Sequence, residues 1–142
     1  MATSNAATTY LENKILDFLF KNNSSSFTTP GNSIYVGLAT AVADAEAGSL
    51  TEATFGSYAR QQVNAAGWTL ASASTDQQTV TNAANIEFPA STGTSNTVTH
   101  AFIVDAASSG NILFVGALDA SKTIATGDIF RINAGNLTIE LK

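Results

Sequence analysis

His100 is the only histidine of the chain, and histidine is the side chain best suited to acid–base catalysis near neutral pH. A lone imidazole can act as a general base or as one metal ligand, but either role requires partner groups at a defined spacing. The chain contains no cysteine, and nothing with ligand spacing surrounds position 100. The sequence therefore predicts a hydrogen-bonded histidine within a strand, and it predicts no catalytic, cofactor-binding or metal-binding residue.

Aspartates and serines could supply two other kinds of chemistry, metal binding and nucleophilic catalysis. A calcium loop places carboxylates at alternating positions, and Asp44 and Glu46 are the nearest approach to that pattern. Asp105, Asp119 and Asp128 lie at the ends of predicted strands, where aspartate accepts hydrogen bonds within turns. No serine lies in a Gly-x-Ser-x-Gly sequence, and no glycine-rich phosphate loop is present. An enzyme is therefore the weakest of the functional hypotheses.

Arg60 is the charged residue most suited to contact another protein. It lies with Tyr58 in the polar segment Ser57–Val63, which is predicted to be an edge strand. An arginine at a sheet edge can bind a carboxylate or carbonyl groups of a partner. The alternative is an internal cap, in which Arg60 binds a loop carbonyl of its own chain. Tyr58 and Arg60 are therefore predicted partner contacts, with the internal cap left open.

The composition limits the classes of partner. The 142 residues correspond to about one domain, and the charged fraction is 12%, with a net charge of −5. An acidic chain repels phosphate backbones and anionic lipid, so nucleic acid and membranes are excluded as partners. The polar start lacks the features of a signal peptide, and no apolar run is long enough for a membrane span. Serine and threonine make up roughly a quarter of the chain, well above ordinary usage. Such a surface can be covered by another protein at little desolvation cost, or it simply serves solubility.

A helix is predicted over residues 9–21, after a flexible arm over residues 1–8. Thr9 and Glu12 have the spacing of a capping box, in which each side chain binds a free backbone N–H group of the first turn. The stretch of small polar residues that begins at Asn22 is expected to end the helix.

The apolar side chains of this helix cover an arc of about 200°, which is wider than one packed face requires. Leu11, Ile15 and Phe18 are predicted to pack on the sheet of their own chain. Leu16 and Phe20 point further round and are predicted to contact a neighbouring subunit. A loop of the same chain covering Leu16 and Phe20 is the alternative.

Residues 33–142 are predicted to form strands. Thr97–Asp105 and Asn111–Leu118 are apolar on both faces and are therefore expected at the centre of a sheet, joined by a hairpin loop at Ala106–Gly110. A second hairpin is predicted about Ala134-Gly135-Asn136, and Gly48–Gly56 is predicted to be a polar loop. Shorter strands are predicted at Ile34–Ala39, Trp68–Leu70, Thr79–Thr81 and Asn85–Phe88. About eight strands with one helix in front predict a mainly β fold, a single antiparallel β-sandwich or jelly-roll-like domain with an N-terminal amphipathic helix.

Several blocks of the chain, taken in order, resemble a family of small virion proteins of tailed bacteriophages. Each block alone is a strand-and-turn pattern of low specificity, but together they span nearly the whole chain. The blocks are Tyr10–Asp17, Ile34–Leu38, Gly56–Gln61, Asn85–Pro89, Val98–His100, Leu113–Leu118, Lys122–Ile124, Gly127–Phe130 and Ala134–Ile139.

The resemblance implies a structural protein of the virion, assembled in the cytoplasm of the bacterial host, with no catalytic residues and no cofactor. Proteins of this family are described as tail fibre-like, and similar small β-proteins act as trimeric cement on capsids. The expected function is therefore that of a capsid cement or decoration protein that forms a homotrimer and binds the major capsid protein or another virion protein. The alternative is a tail fibre-like or baseplate component, although fibre shafts usually carry repeats or heptads and this chain has neither.

Overall fold

The computed structural model describes residues 5–23, 34–70 and 78–141. Within these ranges the chain forms eleven strands, one α-helix and a short 3-10 helix at Ala65–Gly67. The helix α1 spans Thr9–Phe20. The strands are β1 (Ala6–Ala7), β2 (Tyr35–Asp44), β3 (Ser49–Glu52), β4 (Gln61–Gln62), β5 (Trp68–Leu70), β6 (Gln78–Asn82), β7 (Ile86–Glu87), β8 (Asn96–Val104), β9 (Ile112–Ile124), β10 (Arg131–Ile132) and β11 (Thr138–Leu141).

The strands form three antiparallel sheets. The main sheet has the order β1-β9-β8-β2-β3, and the short β4 also pairs with β2. A three-stranded sheet has the order β11-β6-β5, and β7 pairs with β10. The fold class is thus confirmed: the protein is mainly β and sandwich-like, with a single N-terminal helix.

The strand β8 is central, as its apolar character on both faces predicts. Its last four residues, Ala101–Val104, are all buried, and it pairs with β2 on one side and with β9 on the other. The loop to β9 contains Gly110 at a φ of 78°, the left-handed geometry that a hairpin glycine supplies without strain. The main hairpin of the sequence analysis is therefore confirmed.

Two cores lie on opposite faces of the main sheet. The first is enclosed between this sheet and the two smaller sheets, and its buried members are Val36, Leu38, Ala53, Phe55, Val63, Ile86, Phe88, Val98, Ala101, Ile103, Ile124 and Ile132. The second consists of Ala39, Ala45, Phe102, Val104 and Val115. Every member of the second core comes from the main sheet or the turn after β2. The main sheet therefore curls around this core.

The curl has a local cause in the strand register. Only Thr99 lies between Val98 and His100 on β8, whereas residues 118–121 lie between their partners on β9, Ala117 and Lys122. Such unequal spacing is a β-bulge, which bends the strand that carries the extra residues. A second register shift between β2 and β3 surrounds Thr40. The two irregularities lie at the same level of the sheet and together allow it to fold over.

Thr8 joins the first strand to the helix. Its backbone N–H donates to the Leu113 carbonyl at 2.9 Å, and its hydroxyl donates to the Ile112 carbonyl at 2.5 Å. The same hydroxyl accepts from the Leu11 N–H at 3.4 Å, so Thr8 is the N-cap of α1. The N–H of Thr9 donates to the Glu46 carbonyl in the turn after β2.

These contacts correct two predictions. The helix cap is Thr8 rather than Thr9, because the hydroxyl of Thr8 faces the first turn. The predicted flexible arm over residues 1–8 is wrong for its second half, because Ala6 and Ala7 pair with Val115 and Phe114. Residues 1–4 lie outside the described residues.

Three strand predictions also differ from the structure. The predicted second hairpin does not form, because β10 pairs with β7 and β11 pairs with β6. The predicted polar loop contains β3, which continues the main sheet beside β2. The predicted edge strand Ser57–Val63 is reduced to β4, since Ser57 has a φ of 68° that ends regular pairing. No helix within the described ranges is long and apolar enough to cross a membrane.

Candidate functional site

Tyr58 and Arg60 meet Glu52 in one hydrogen-bonded network. The Tyr58 hydroxyl donates to Glu52 Oε1 at 2.8 Å and accepts from the Leu38 N–H at 2.9 Å. Arg60 binds the same carboxylate in a bidentate manner. Its Nε donates to Oε1 at 2.7 Å, and its Nη2 donates to Oε2 at 2.8 Å. Because β3 and β4 pair with different parts of β2, the Tyr58 hydroxyl fills the gap between them.

The remaining donor atom of Arg60 reaches the loop between β8 and β9. Nη1 donates to the carbonyls of Ala106 and Ser109 at 2.9 and 2.7 Å. The guanidinium also lies over the ring of Phe102, with Cζ 5.4 Å from the ring centroid, which is within the range of a cation–π interaction. Arg60 thus connects β3, which lies 8 residues earlier, to the loop between β8 and β9, which lies 46 to 49 residues later.

The network fixes the charge state of its members. Burial disfavours the Glu52 carboxylate, but the hydrogen bonds from Arg60 and Tyr58 outweigh it, and the pKa of Glu52 lies below its ordinary value. Burial, reinforced by the Glu52 carboxylate, raises the pKa of the Tyr58 phenol. The hydrogen bond to Glu52 raises the pKa of Arg60. The site therefore holds an ion pair and a neutral phenol over the whole physiological pH range.

This geometry matches the internal-cap alternative for Arg60. Its side chain is only 9% exposed, and four of its N–H bonds donate to atoms of its own chain. Tyr58 is partly buried between the rings of Phe55 and Phe88. Both side chains stabilise the fold, and their role as partner contacts stays a prediction.

The helix α1 has a different environment. Leu11 is buried and Ile15 is half-buried, as predicted for the inward face, whereas Phe18 is more exposed than predicted. Leu16 is 54% exposed and Phe20 is 77% exposed. The two residues predicted to contact a neighbouring subunit are thus accessible within a single chain.

A cleft opens between the main sheet and the three-stranded sheet. It has a volume of about 810 Å³. Most of the residues that line it are apolar, and the larger of these are Phe102, Ile103, Phe114, Leu118, Ile132, Leu137 and Ile139. Asp119, Thr138 and Glu140 also line the cleft, and Ala6 and Ala7 of β1 mark one border. The sequence analysis missed this cleft, because it assigned β11 to a hairpin with β10.

His100 is a hydrogen-bonded strand residue, as predicted. Its Nδ1 lies 2.8 Å from the Thr99 hydroxyl, and burial lowers the pKa of its imidazole. The aspartates serve turns: Asp44, Asp105 and Asp128 each accept from a nearby backbone N–H. Asp119 differs from its prediction, since it lies inside β9 rather than at a strand end. Among the described residues, no three ionisable side chains come together in a way that could hold a metal ion.

Residues 6–140 match the family described as podophage GP4 fiber I protein gp80. The chain belongs to that family. A search of curated proteins finds no match. The match to the fiber I family covers every strand and the helix described above, except for the last residue of β11.

Membership in the fiber I family confirms the resemblance to structural proteins of tailed phages. The chain is therefore a phage virion protein with a structural role. Within the described residues of this chain, the exposed side of α1 and the cleft are two accessible apolar surfaces.

Proposed function

We propose that the chain is a non-enzymatic structural component of a phage fibre that associates with copies of itself and with another virion protein. The family match over residues 6–140 is the observation that carries the proposal. The chemistry of the surface supports it, because the best-placed arginine is used internally while large apolar side chains of α1 remain exposed. Neither nucleic acid nor a membrane is among the proposed partners.

Self-association is proposed to occur as a homotrimer through Leu16 and Phe20. Apolar side chains that are more than half exposed gain free energy when a second copy covers them. The double substitution Leu16→Asp with Phe20→Asp is expected to yield folded monomers in sedimentation experiments. Ile129→Asp is the matched control, since Ile129 is 50% exposed but lies far along the chain from α1. Wild-type protein that is monomeric at micromolar concentration would contradict the proposal.

A capsid cement protein is the second candidate, with the major capsid protein as its partner. The observation that favours it is the absence of any repeat or heptad in the sequence, which the shaft of a fibre usually needs. Its net charge of −5 also suits the outer face of a shell better than the DNA-filled interior.

Quantitative mass spectrometry of purified virions tests the two candidates against each other. A fibre component is expected at a copy number far below that of the major capsid protein. A copy number close to that of the capsid protein would identify a cement protein instead. Labelling of an engineered tag by electron microscopy then shows whether the chain lies on a fibre or on the shell.

Attachment to the virion is proposed to depend little on charge. Only 12% of the residues are charged, and exposed ion pairs contribute about 0–1 kcal/mol each. Washing particles in about 1 M salt, where the screening length falls to about 3 Å, is expected to leave the protein bound. Clean release at moderate salt would show that the contact is electrostatic.

A further inference from the structure

The segment from Asn5 to Thr9 joins β9 to the turn after β2. Asn5 Oδ1 accepts from the Ala117 N–H at 2.6 Å, and β1 pairs with β9 directly after it. Thr8 is bonded to the start of β9, and the Thr9 N–H donates to the Glu46 carbonyl in the turn. The segment therefore lies across the opening where the curl of the main sheet closes.

The helix α1 follows this segment without a linker. The Thr8 hydroxyl donates to the Ile112 carbonyl of β9 and accepts from the Leu11 N–H in the first turn of α1. One buried side chain thus holds both the end of the strand contact and the start of the helix. Displacement of either one moves the other, so we call residues 5–20 the N-terminal unit.

The N-terminal unit buries little apolar surface against the rest of the chain. Leu11 is the only buried residue of α1, and both residues of β1 are half-buried. Leu16, Leu19 and Phe20 are more than half exposed. An isolated helix of about 12 residues is marginal in water. The helix therefore depends on its attachment to the main sheet through Thr8.

Both hydrophobic cores are formed without the N-terminal unit. Among the described residues, the first core contains no member of the unit, and only Ala6 packs against the second core. Segments with few buried apolar contacts open at a lower free energy than the core of the same protein. The N-terminal unit is such a segment, whereas β8 lies at the centre of the main sheet.

We infer that the N-terminal unit is a releasable strap, which opens from the main sheet as a whole while both cores stay folded. Opening removes the β1 partners of Phe114 and Val115 and breaks the bond between Thr9 and Glu46. A strand edge without a partner is open to pairing with another extended chain. The strap therefore controls access to this edge of β9. This motion belongs to the single chain and does not rest on the proposed function.

Hydrogen exchange of the backbone amides, followed by NMR on the full chain in low concentrations of urea, tests the strap. The reporter amides are Thr9, which is bonded to the turn after β2, and Glu12, which is bonded within the first turn of α1. The reference amide is Phe88, a buried member of the first core. The two reporter amides are expected to have the same protection factor, at least about tenfold lower than that of Phe88.

Two outcomes would overturn the inference. Protection of Thr9 and Glu12 as high as that of Phe88 would show that the N-terminal unit leaves the sheet only when the whole chain unfolds. Unequal protection of Thr9 and Glu12 would show that the strand contact and the helix open separately.

A matched pair of asparagine variants gives a second test. Asn5→Ala removes the acceptor of the Ala117 N–H, and Asn85→Ala removes the acceptor of the Ala134 N–H outside the N-terminal unit. Both asparagines are exposed, so both variants are expected to fold. Asn5→Ala is expected to speed exchange of the two reporter amides about fivefold, the effect of losing one net hydrogen bond, and Asn85→Ala to leave it unchanged. No acceleration by Asn5→Ala, or equal acceleration by both variants, would overturn the strap.

Discussion

Arg60 and Phe20 represent two opposite environments in this molecule. The Arg60 side chain is 9% exposed and donates four hydrogen bonds to atoms of its own chain. The Phe20 side chain is 77% exposed on the outer side of α1. A charged group that could bind a partner is thus used inside the fold, and an apolar group that could build a core is left outside it.

The difference indicates how the chain divides its interactions between folding and recognition. A guanidinium that binds a carboxylate through two hydrogen bonds fixes the relative position of the two side chains, because these hydrogen bonds are directional. The free energy gained by apolar burial is not directional and scales with the area removed from water. Exposed apolar side chains such as Phe20 can therefore pack against a partner without exact alignment of hydrogen-bond donors and acceptors. In this chain the Arg60 guanidinium stabilises the fold, whereas the Leu16 and Phe20 side chains remain exposed on α1.

Arg60→Ala is expected to give the largest loss of stability, about 3 kcal/mol in the free energy of unfolding. It removes two of the three hydrogen bonds that the Glu52 carboxylate accepts and both of the Arg60 hydrogen bonds to loop carbonyls, and breaking a buried ion pair costs about 3–5 kcal/mol. Urea denaturation measures the effect. Arg131→Ala is the matched control, because the Arg131–Glu87 pair is 49% and 47% exposed and should contribute at most about 1 kcal/mol. Equal losses in the two variants would remove the contrast between an internal and a surface arginine.

Gly37→Ala is expected to destabilise the fold by about 2 kcal/mol, because overpacking a filled core costs about 1–3 kcal/mol. A methyl group at position 37 would lie 2.7 Å from two carbons of the Phe102 ring, which in turn supports the Arg60 guanidinium. Thermal unfolding followed by circular dichroism measures the loss. Gly93→Ala serves as the control, since nothing lies within 4 Å of the added carbon. A neutral Gly37→Ala would show that the ring beneath Arg60 moves freely.

Glu52→Gln is expected to change how the free energy of unfolding depends on acidic pH. This change should be smaller than the losses expected for Arg60→Ala and Gly37→Ala. The pKa of Glu52 is lowered in the folded state, so its ionised form stabilises the fold above its ordinary pKa, and this contribution is lost as the pH falls through the lower, folded value. The stability difference between wild type and Glu52→Gln is therefore expected to shrink as the pH falls below about 4.3. Denaturation curves between pH 6 and about pH 3 measure it. A difference that grows with acidity would contradict the ion pair.

The double substitution Leu16→Asp with Phe20→Asp should change the stability of the monomer by no more than about 0.5 kcal/mol, as is usual for surface positions. Both side chains are mostly exposed in the single chain, so little packing is lost. Urea denaturation at a concentration where the protein is monomeric provides the measurement. A loss as large as that of Arg60→Ala would mean that Leu16 and Phe20 pack in the core of their own chain.

His100→Gln is expected to have a small effect, about 0.5 kcal/mol or less at neutral pH, since an amide can replace the one hydrogen bond to Thr99 and a net hydrogen bond contributes only about 1 kcal/mol. Burial lowers the pKa of His100, so the wild type loses stability as the pH falls below about 6.5 toward the lower folded value. The variant should lack this dependence, which thermal unfolding between pH 5 and about pH 8 can detect. An identical pH profile for both proteins would show that His100 is solvated in the fold.

The sequence predicts the elements whose signals are local. The spacing of Leu11, Ile15 and Phe18 indicates the helix, and the apolar character of Thr97–Asp105 on both faces indicates a central strand. The pairing of the last strands could not be predicted in the same way. Residues 129–132 and 137–141 look like a hairpin because they are neighbours, but each finds a better partner in β7 or β6, about 45 to 65 residues earlier.

The same distinction between local and long-range signals applies to the residues of the candidate site. The exposure of Leu16 and Phe20 could be anticipated, because an apolar arc wider than one face must extend beyond the sheet that the helix contacts. The carbonyl partners of Arg60 could not, since Ala106 and Ser109 are 46 and 49 residues away in the sequence. The cleft could not be predicted from the sequence either, because it forms only when β11 pairs with β6 in the three-stranded sheet.

Thr8 gives the fold a mechanical property. Tension applied along α1 reaches the main sheet through Thr8 and Thr9, which are bonded to the start of β9 and to the turn after β2. The hydrogen bonds between β1 and β9 run perpendicular to the strands, so a pull along β1 loads them in shear, all at once rather than one after another. A force that the virion applies to α1 would therefore act on β9 and on the turn after β2 at the same time. The force is shared between these two attachment points, so no single strand has to bear all of it.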